Sequence, residues 1–258
     1  MTEELKVDVW STESIEYSTV DKATDAIENL ADQLGTPADI SYRYIYPGND
    51  DHETYDEYIS EFEGEVTHRW GRRSLLIYKS PFRPTDGGDR DSHPNLGMSR
   101  SWYSRYEQSY AIVNGNIVET DLTDLAYFLG IGAGAVGDWF ASREASKIFE
   151  NVVQHEILHA MLTGRRAPQF RDDHSYGEVK SSFWRARDRA SPMLTGYTEP
   201  RLSNDAPAEF CREDSSMAEN WTDTLSSCTE DEAKRWLNEE YDGNDDDGPP
   251  PCQPGQPC

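Results

Sequence analysis

V-V-Q-H-E-I-L-H-A-M-L, residues 152–162, sets His155 and His159 four positions apart with Glu156 between them. Residues at i and i+4 project from one face of a helix, so both imidazoles can address one point in space. Two imidazoles held that way can take two corners of a zinc tetrahedron, and the neighbouring carboxylate can take a proton from a metal-bound water. The surroundings read as helix. Phe149, Val152, Val153, Ile157, Ala160 and Met161 recur at helical spacing, and Gly164 marks a stop. The expected helix runs from about Ser142 to Thr163. Two histidines and a glutamate inside so apolar a helix would cost stability if they did nothing, which favours a metal site.

A catalytic zinc takes three protein ligands and keeps one position for water. The chain has six histidines: His52, His68, His93, His155, His159 and His174. His174, in R-D-D-H-S-Y-G, is the next one downstream and the expected third ligand. Asp173 is the competing donor, and the choice stays open at this point. Farther on, S-P-M-L-T-G-Y (191–197) carries a methionine in a turn-like setting with a tyrosine soon after.

An H-E-x-x-H helix, a downstream ligand and then a methionine turn with a nearby tyrosine: this order resembles the metzincin clan of zinc endopeptidases. The resemblance implies a two-lobe zincin fold, α+β in class. A mixed twisted sheet would carry the active-site helix, and an irregular C-terminal lobe would follow. It implies Met193 as the apolar floor of the metal site and Tyr197 as a candidate oxyanion stabiliser; a buried structural tyrosine is the other reading. The pattern departs from the clan's H-E-x-x-H-x-x-G-x-x-H, because Leu162 stands at the glycine and Arg165 at the third histidine. Tyr197 follows Met193 by four residues where two is usual. R-D-D-H-S-Y-G is also similar to the D-x-x-Y-G element of the aspzincin family, in which the aspartate is the ligand; that similarity would select Asp173.

At 258 residues the chain can bury one sizeable core. The expected division is an N-terminal lobe with the active helix (1–164), a C-terminal lobe (165–241) and a Pro- and Asp-rich tail without core-forming residues (242–258). Asp and Glu total 49 against 24 Lys and Arg, a net charge of −25, and among the basic residues Arg outnumbers Lys 18 to 6. Acidity with so little lysine is expected of a halophile such as a haloarchaeon, where salt screens the self-repulsion. The alternative is an acidic protein from an ordinary source that favours basic substrates. Either way, nucleic acid and anionic membrane are poor partners, and a polypeptide substrate is expected.

No run of eighteen apolar residues is present, so no membrane span is expected, and the first residues lack the pattern of a signal peptide. The compartment stays open between cytoplasm and a secreted mature form. Cys211, Cys228, Cys252 and Cys258 lack zinc-knuckle spacing. A Cys211–Cys228 bridge and free thiols are both open.

Along the chain, 5–10 reads as an edge or early strand. Residues 19–34 read as an amphipathic helix begun by Ser18 with Asp21 and stopped by Gly35. Strands are expected at 39–46 and 74–80, and 48–68 is an acidic insertion with a short helix. Segment 84–94 reads as a loop, 109–119 as a strand or hairpin, 121–128 as a helical patch and the glycine run 130–137 as a loop. A last helix near 230–241 is capped by Thr229 with Glu232. Residues 97–104, G-M-S-R-S-W-Y-S, are the candidate strand for pairing with an extended substrate; an aromatic surface loop is the other reading. Taken together, these features read as a zinc endopeptidase with His155, His159 and His174 on the metal, Glu156 as general base and Tyr197 in support. The rivals are a catalytically silent zinc-binding protein and a zinc hydrolase of a non-peptide amide.

Overall fold

The computed structural model describes residues 4–46, 55–66, 69, 72–80, 96–101, 109–119, 135–159, 161, 179–180, 189–193 and 220–238. The expectations for 84–94, 121–128 and 242–258, and for most of 165–219, fall outside them.

A five-stranded sheet organises these residues. Its strands are β1 (Leu5–Ser11), β2 (Ala38–Ile45), β3 (Arg73–Tyr78), β4 (Gly97–Ser101) and β5 (Ser109–Asn114). The order is β2-β1-β3-β5-β4. β1, β2, β3 and β5 run parallel, and β4 closes one edge antiparallel to β5. The protein is therefore mixed α/β, with a four-strand parallel run.

Helices cover both faces, and the two-residue period of the strands sorts the core between them. Leu5, Val7, Val9, Leu75, Ile77, Ala111 and Val113 pack against α1 (Tyr17–Leu34) and α4 (Ala135–His159). From α1 come Ala23, Ile27 and Leu30, and from α4 Ile148, Phe149, Val152 and Val153. Leu76, Tyr78, Tyr110 and Ile112 point the other way, onto Tyr58, Ile59 and Phe62 of α2 (Tyr55–Glu65). β3 is buried at every position, as a strand covered on both sides must be.

β1 sits between β2 and β3, so it is interior where an edge was one reading. It carries Asp8, which is buried and bonded to Arg69 and Arg72; the Arg72 Nε bond is 2.7 Å. Arg72 also reaches Asp39 on β2, so the ion cluster ties the start of β3 to its neighbour β1 and to β2 beyond it.

Several boundaries differ from those read in the sequence. α1 begins at Tyr17 with Glu16 as its N-cap, two residues before the expected start. Its free amide is met from far along the chain: Glu16 N–H donates to Glu119 Oε1 at 2.9 Å, and the Thr19 hydroxyl donates to the same oxygen. Ser18 therefore has no capping role. The helix ends on Gly35, whose φ of 68° suits a glycine. Segment 109–119 is strand β5 followed by a short helix, α3 (Asn116–Glu119), not a hairpin. α4 starts at Ala135, inside the expected glycine loop; one helical glycine costs only about 1 kcal/mol, and the buried second half of the helix offsets it. At the other end α4 closes at His159, and Met161 N–H bonds back to Leu158 O at 2.8 Å in a tightened turn.

Of the expected C-terminal lobe, the described residues form a small sheet and a helix. β6 (Val179–Lys180) pairs antiparallel with β7 (Arg189–Ala190), which pairs parallel with β8 (Asn220–Trp221). α5 (Ser227–Asn238) starts three residues earlier than expected, because Ser226 is the cap. Ser226 Oγ accepts from Thr229 N–H at 3.0 Å, and Thr229 is buried in the first turn. Cys228 is disulfide-bonded, with its partner outside the described residues. No helix among the described residues is long and apolar enough to cross a membrane.

Candidate metal centre

The second half of α4 is buried on nearly every side. Asn151, Val152, Val153, Gln154, His155, Glu156, Ile157 and Leu158 are all buried, and His159 is partly open. The polar members of this stretch are tied. Asn151 donates to Thr222 O at 2.7 Å, and Gln154 donates to Ala26 O at 3.2 Å. These bonds lock the rotation of the helix against α1 and the segment after β8. They thereby fix where His155 and His159 point.

His155 Nε2 and His159 Nε2 stand 2.9 Å apart, with the rings nearly perpendicular at 85°. Ligand atoms of His155, Glu156 and His159 all lie within 4.8 Å of one another. The other nitrogen of His155 is spoken for, because Nδ1 bonds to the carbonyl of Pro192. A carbonyl can only accept, so Nδ1 carries the proton and Nε2 turns its lone pair toward His159. A second partner of that kind is what orients a metal-binding imidazole. Two nitrogens on a tetrahedral zinc, at about 2.0–2.1 Å each, lie about 3.3 Å apart, so the pair need open by only roughly 0.4 Å to accept the ion. The donor set fits a zinc ion.

Pro192 is held by its neighbours. β7 precedes it, Ser191 and Met193 are buried on either side, and Met193 is fully enclosed in the same core cluster as Val152, Val153 and Ile157. The methionine singled out in the sequence is thus packed in the core of the helix that carries the histidines. Its neighbour's carbonyl touches one of them.

Glu156 lies on the side of the helix toward β4. Burial pushes its carboxyl up to about 8, and a hydrogen bond from Ser99 pulls it partly back. Of the segment 97–104, residues 97–101 form strand β4, which lies at the edge of the sheet among the described strands, and 102–104 lie outside the described residues. The strand reading holds for that part. The sequence missed that Gly97 and Ser99 would touch Glu156. The available signal was a glycine opening a strand, which often marks close approach of another element. Pro192 carried no local signal. His174, Asp173 and Tyr197 are outside the described residues, as are His52, His68 and His93.

No family model and no curated protein matches the chain. Among solved structures, a zinc-dependent peptidase from Methanocorpusculum labreanum (strain Z) is similar at 14% identity and a TM-score of 0.34, over 60% of this chain and 80% of that one. A likeness this remote assigns neither fold nor activity, so the functional reading stands on the site itself.

Proposed function

We propose that the chain is a zinc-dependent endopeptidase of metzincin-like, two-lobe organisation. One observation carries the reading: two imidazoles and a carboxylate converge on a single point of a buried helix, with His155 turned by Pro192 so that its Nε2 faces that point. His155 and His159 would hold the ion, with His174 as the third ligand and Asp173 as its rival. Zinc, when bound, acidifies a water and polarises the scissile carbonyl.

The rest falls to the protein's own groups. Glu156 takes the proton of the attacking water and passes it to the leaving amine. A purely structural zinc needs no such base, which weighs against a silent binding protein. β4 bonds on one side to β5 and, among the described strands, has no neighbour on the other. An extended peptide can add to that edge by main-chain hydrogen bonds, beside Glu156. This favours a polypeptide over a small amide as substrate. Met193 serves as the apolar support of the site, and Tyr197 as a stabiliser of the developing oxyanion.

Metal analysis together with cleavage of a denatured protein in molar salt tests the proposal. About one zinc per chain is expected for a single site of this kind. His155→Ala or His159→Ala should abolish both zinc and turnover. Glu156→Gln should keep the zinc and lose activity by about 10²–10⁴-fold. Undiminished zinc in the double histidine variant would refute the site. His174→Ala should weaken zinc binding far more than Asp173→Ala, and the opposite ranking would give the third position to the aspartate.

A further inference from the structure

β4 and α4 meet unusually closely at Gly97. A β-carbon there would stand 2.8 Å from Glu156 Oε1 and 2.9 Å from both Glu156 Cγ and Val152 Cγ1, closer than real β-carbons approach their neighbours. Two residues along, on the same face of the strand, the Ser99 hydroxyl donates a hydrogen bond to the Glu156 carboxylate. One residue leaves room by having no side chain, and the other fills its place with a donor.

We infer that Gly97 and Ser99 together form a seat that fixes the carboxylate of Glu156, and that both are positioning residues for the proton transfer proposed above. The inference rests on that reading. A glutamate side chain turns about three bonds, so a helix alone does not place its carboxylate. The missing side chain at Gly97 lets the carboxylate lie directly against the strand backbone. The Ser99 bond then engages one acceptor position and leaves others for a water. Because the seat is part of the edge strand itself, the proposed base and a peptide added to that edge share one rigid reference. A base must lie within hydrogen-bond reach of the proton that it takes, and a displacement near 1 Å can cost about 100-fold in rate.

The test uses the full chain and a fluorogenic peptide that the wild type cleaves. In Gly97→Ala, ordinary contact at 3.4 Å requires Glu156 Oε1 to retreat by 3.4 − 2.8 = 0.6 Å. We expect wild-type zinc content, a KM within about threefold and a kcat lowered roughly tenfold or more, with the Glu156 carboxylate displaced in a crystal structure of the variant. Ser99→Ala should lower kcat several-fold at constant KM, and Ser99→Thr, which keeps the hydroxyl, should restore it. If Gly97→Ala does not fold, Gly97→Ala with Val152→Ala relieves the contact with Val152 and leaves the one with Glu156. That protein should still show the low kcat. Wild-type kcat in the Gly97 and Ser99→Ala variants would overturn the seat, as would an unmoved Glu156 in the Gly97→Ala crystal structure. Failure of the peptidase reading looks different: the wild type would bind no zinc, or Glu156→Gln would match it in turnover. The position of Glu156 in the variant would then decide the seat alone.

Discussion

Replacing Met193 with alanine tests how the core holds the metal centre. Met193 is fully buried in the cluster that contains Val152, Val153, Ile157 and Leu158. The substitution removes three heavy atoms. At about 0.8 kcal/mol per buried methylene-sized group the lost transfer energy is near 2.4 kcal/mol, and the cavity brings the total to about 3–4 kcal/mol. The same change should reach the metal. Met193 fixes the turn whose Pro192 carbonyl receives the proton of His155 Nδ1. A loosened outer partner of a ligating histidine weakens metal binding by about 10–100-fold. Denaturant unfolding of the metal-free protein reads the first effect, and zinc titration with a competing chelator reads the second. Met193→Leu conserves volume and should cost under about 1.5 kcal/mol, with zinc affinity close to wild type. A loss below about 1 kcal/mol in Met193→Ala would mean that the side chain is not enclosed as described. A full loss of stability with unchanged zinc affinity would break the proposed link from Met193 through Pro192 to His155.

Other expectations concern charge. Burial would raise the Asp8 carboxyl, but hydrogen bonds and charge from Arg69 and Arg72 outweigh it and hold the carboxyl below its ordinary value. Its stabilisation is therefore complete above the unfolded value near 3.9 and fades as pH falls through the lower folded value. Asp8→Asn should cost about 3–5 kcal/mol at neutral pH and flatten that acid-side dependence in unfolding measurements; equal stability would refute the cluster's role. Glu156 has the opposite sign: burial raises its carboxyl to about 8, so metal-free protein should lose stability as pH climbs from about 4.5 toward 8. Glu156→Gln should remove that slope, and a slope that persists would assign it elsewhere. The net charge of −25 predicts that molar salt stabilises the fold, and a melting temperature unchanged between about 0.1 M and 3 M KCl would count against a halophilic origin.

What the sequence disclosed and what it hid divide along the range of the interactions. The spacing of Ala23, Ile27, Leu30 and Leu34 declares α1, and the alternation in D-I-S-Y-R-Y-I-Y declares β2, because each element writes its own period into its own residues. His155, Glu156 and His159 were legible for the same reason, since one helix sets their mutual geometry. The starts of α1 and α5 were not legible. The amide at Glu16 is met by Glu119, 103 residues away. Thr229, which looks like a cap in a four-residue window, serves inside a turn capped by Ser226. The sheet order was hidden as well. β3 reads as a strand from Leu75, Leu76 and Ile77, but nothing local says that it lies between β1 and β5.

The candidate site shows the same division within a few ångströms. The histidine pair is a product of the helix, but its orientation comes from Pro192, 37 residues on, and the place of Glu156 comes from β4, on the far side of β5 in sequence. A geometric match lets the strand do this. Two steps along a strand cover about 6.8 Å, and four steps along a helix rise about 6.0 Å. Gly97 can therefore sit against both Val152 and Glu156 while Ser99, one strand interval along, meets Glu156 again. Such a match holds only if both elements stay in register. β5 fixes the register of β4 by pairing Gly97 with Val113 and Ser99 with Ala111, and Asn151 and Gln154 hold the rotation of α4. The residues that set the chemistry are adjacent on one helix. The residues that aim them are a glycine, a serine and a backbone carbonyl, which look ordinary in the sequence and acquire a role only when the sheet edge and the turn come together.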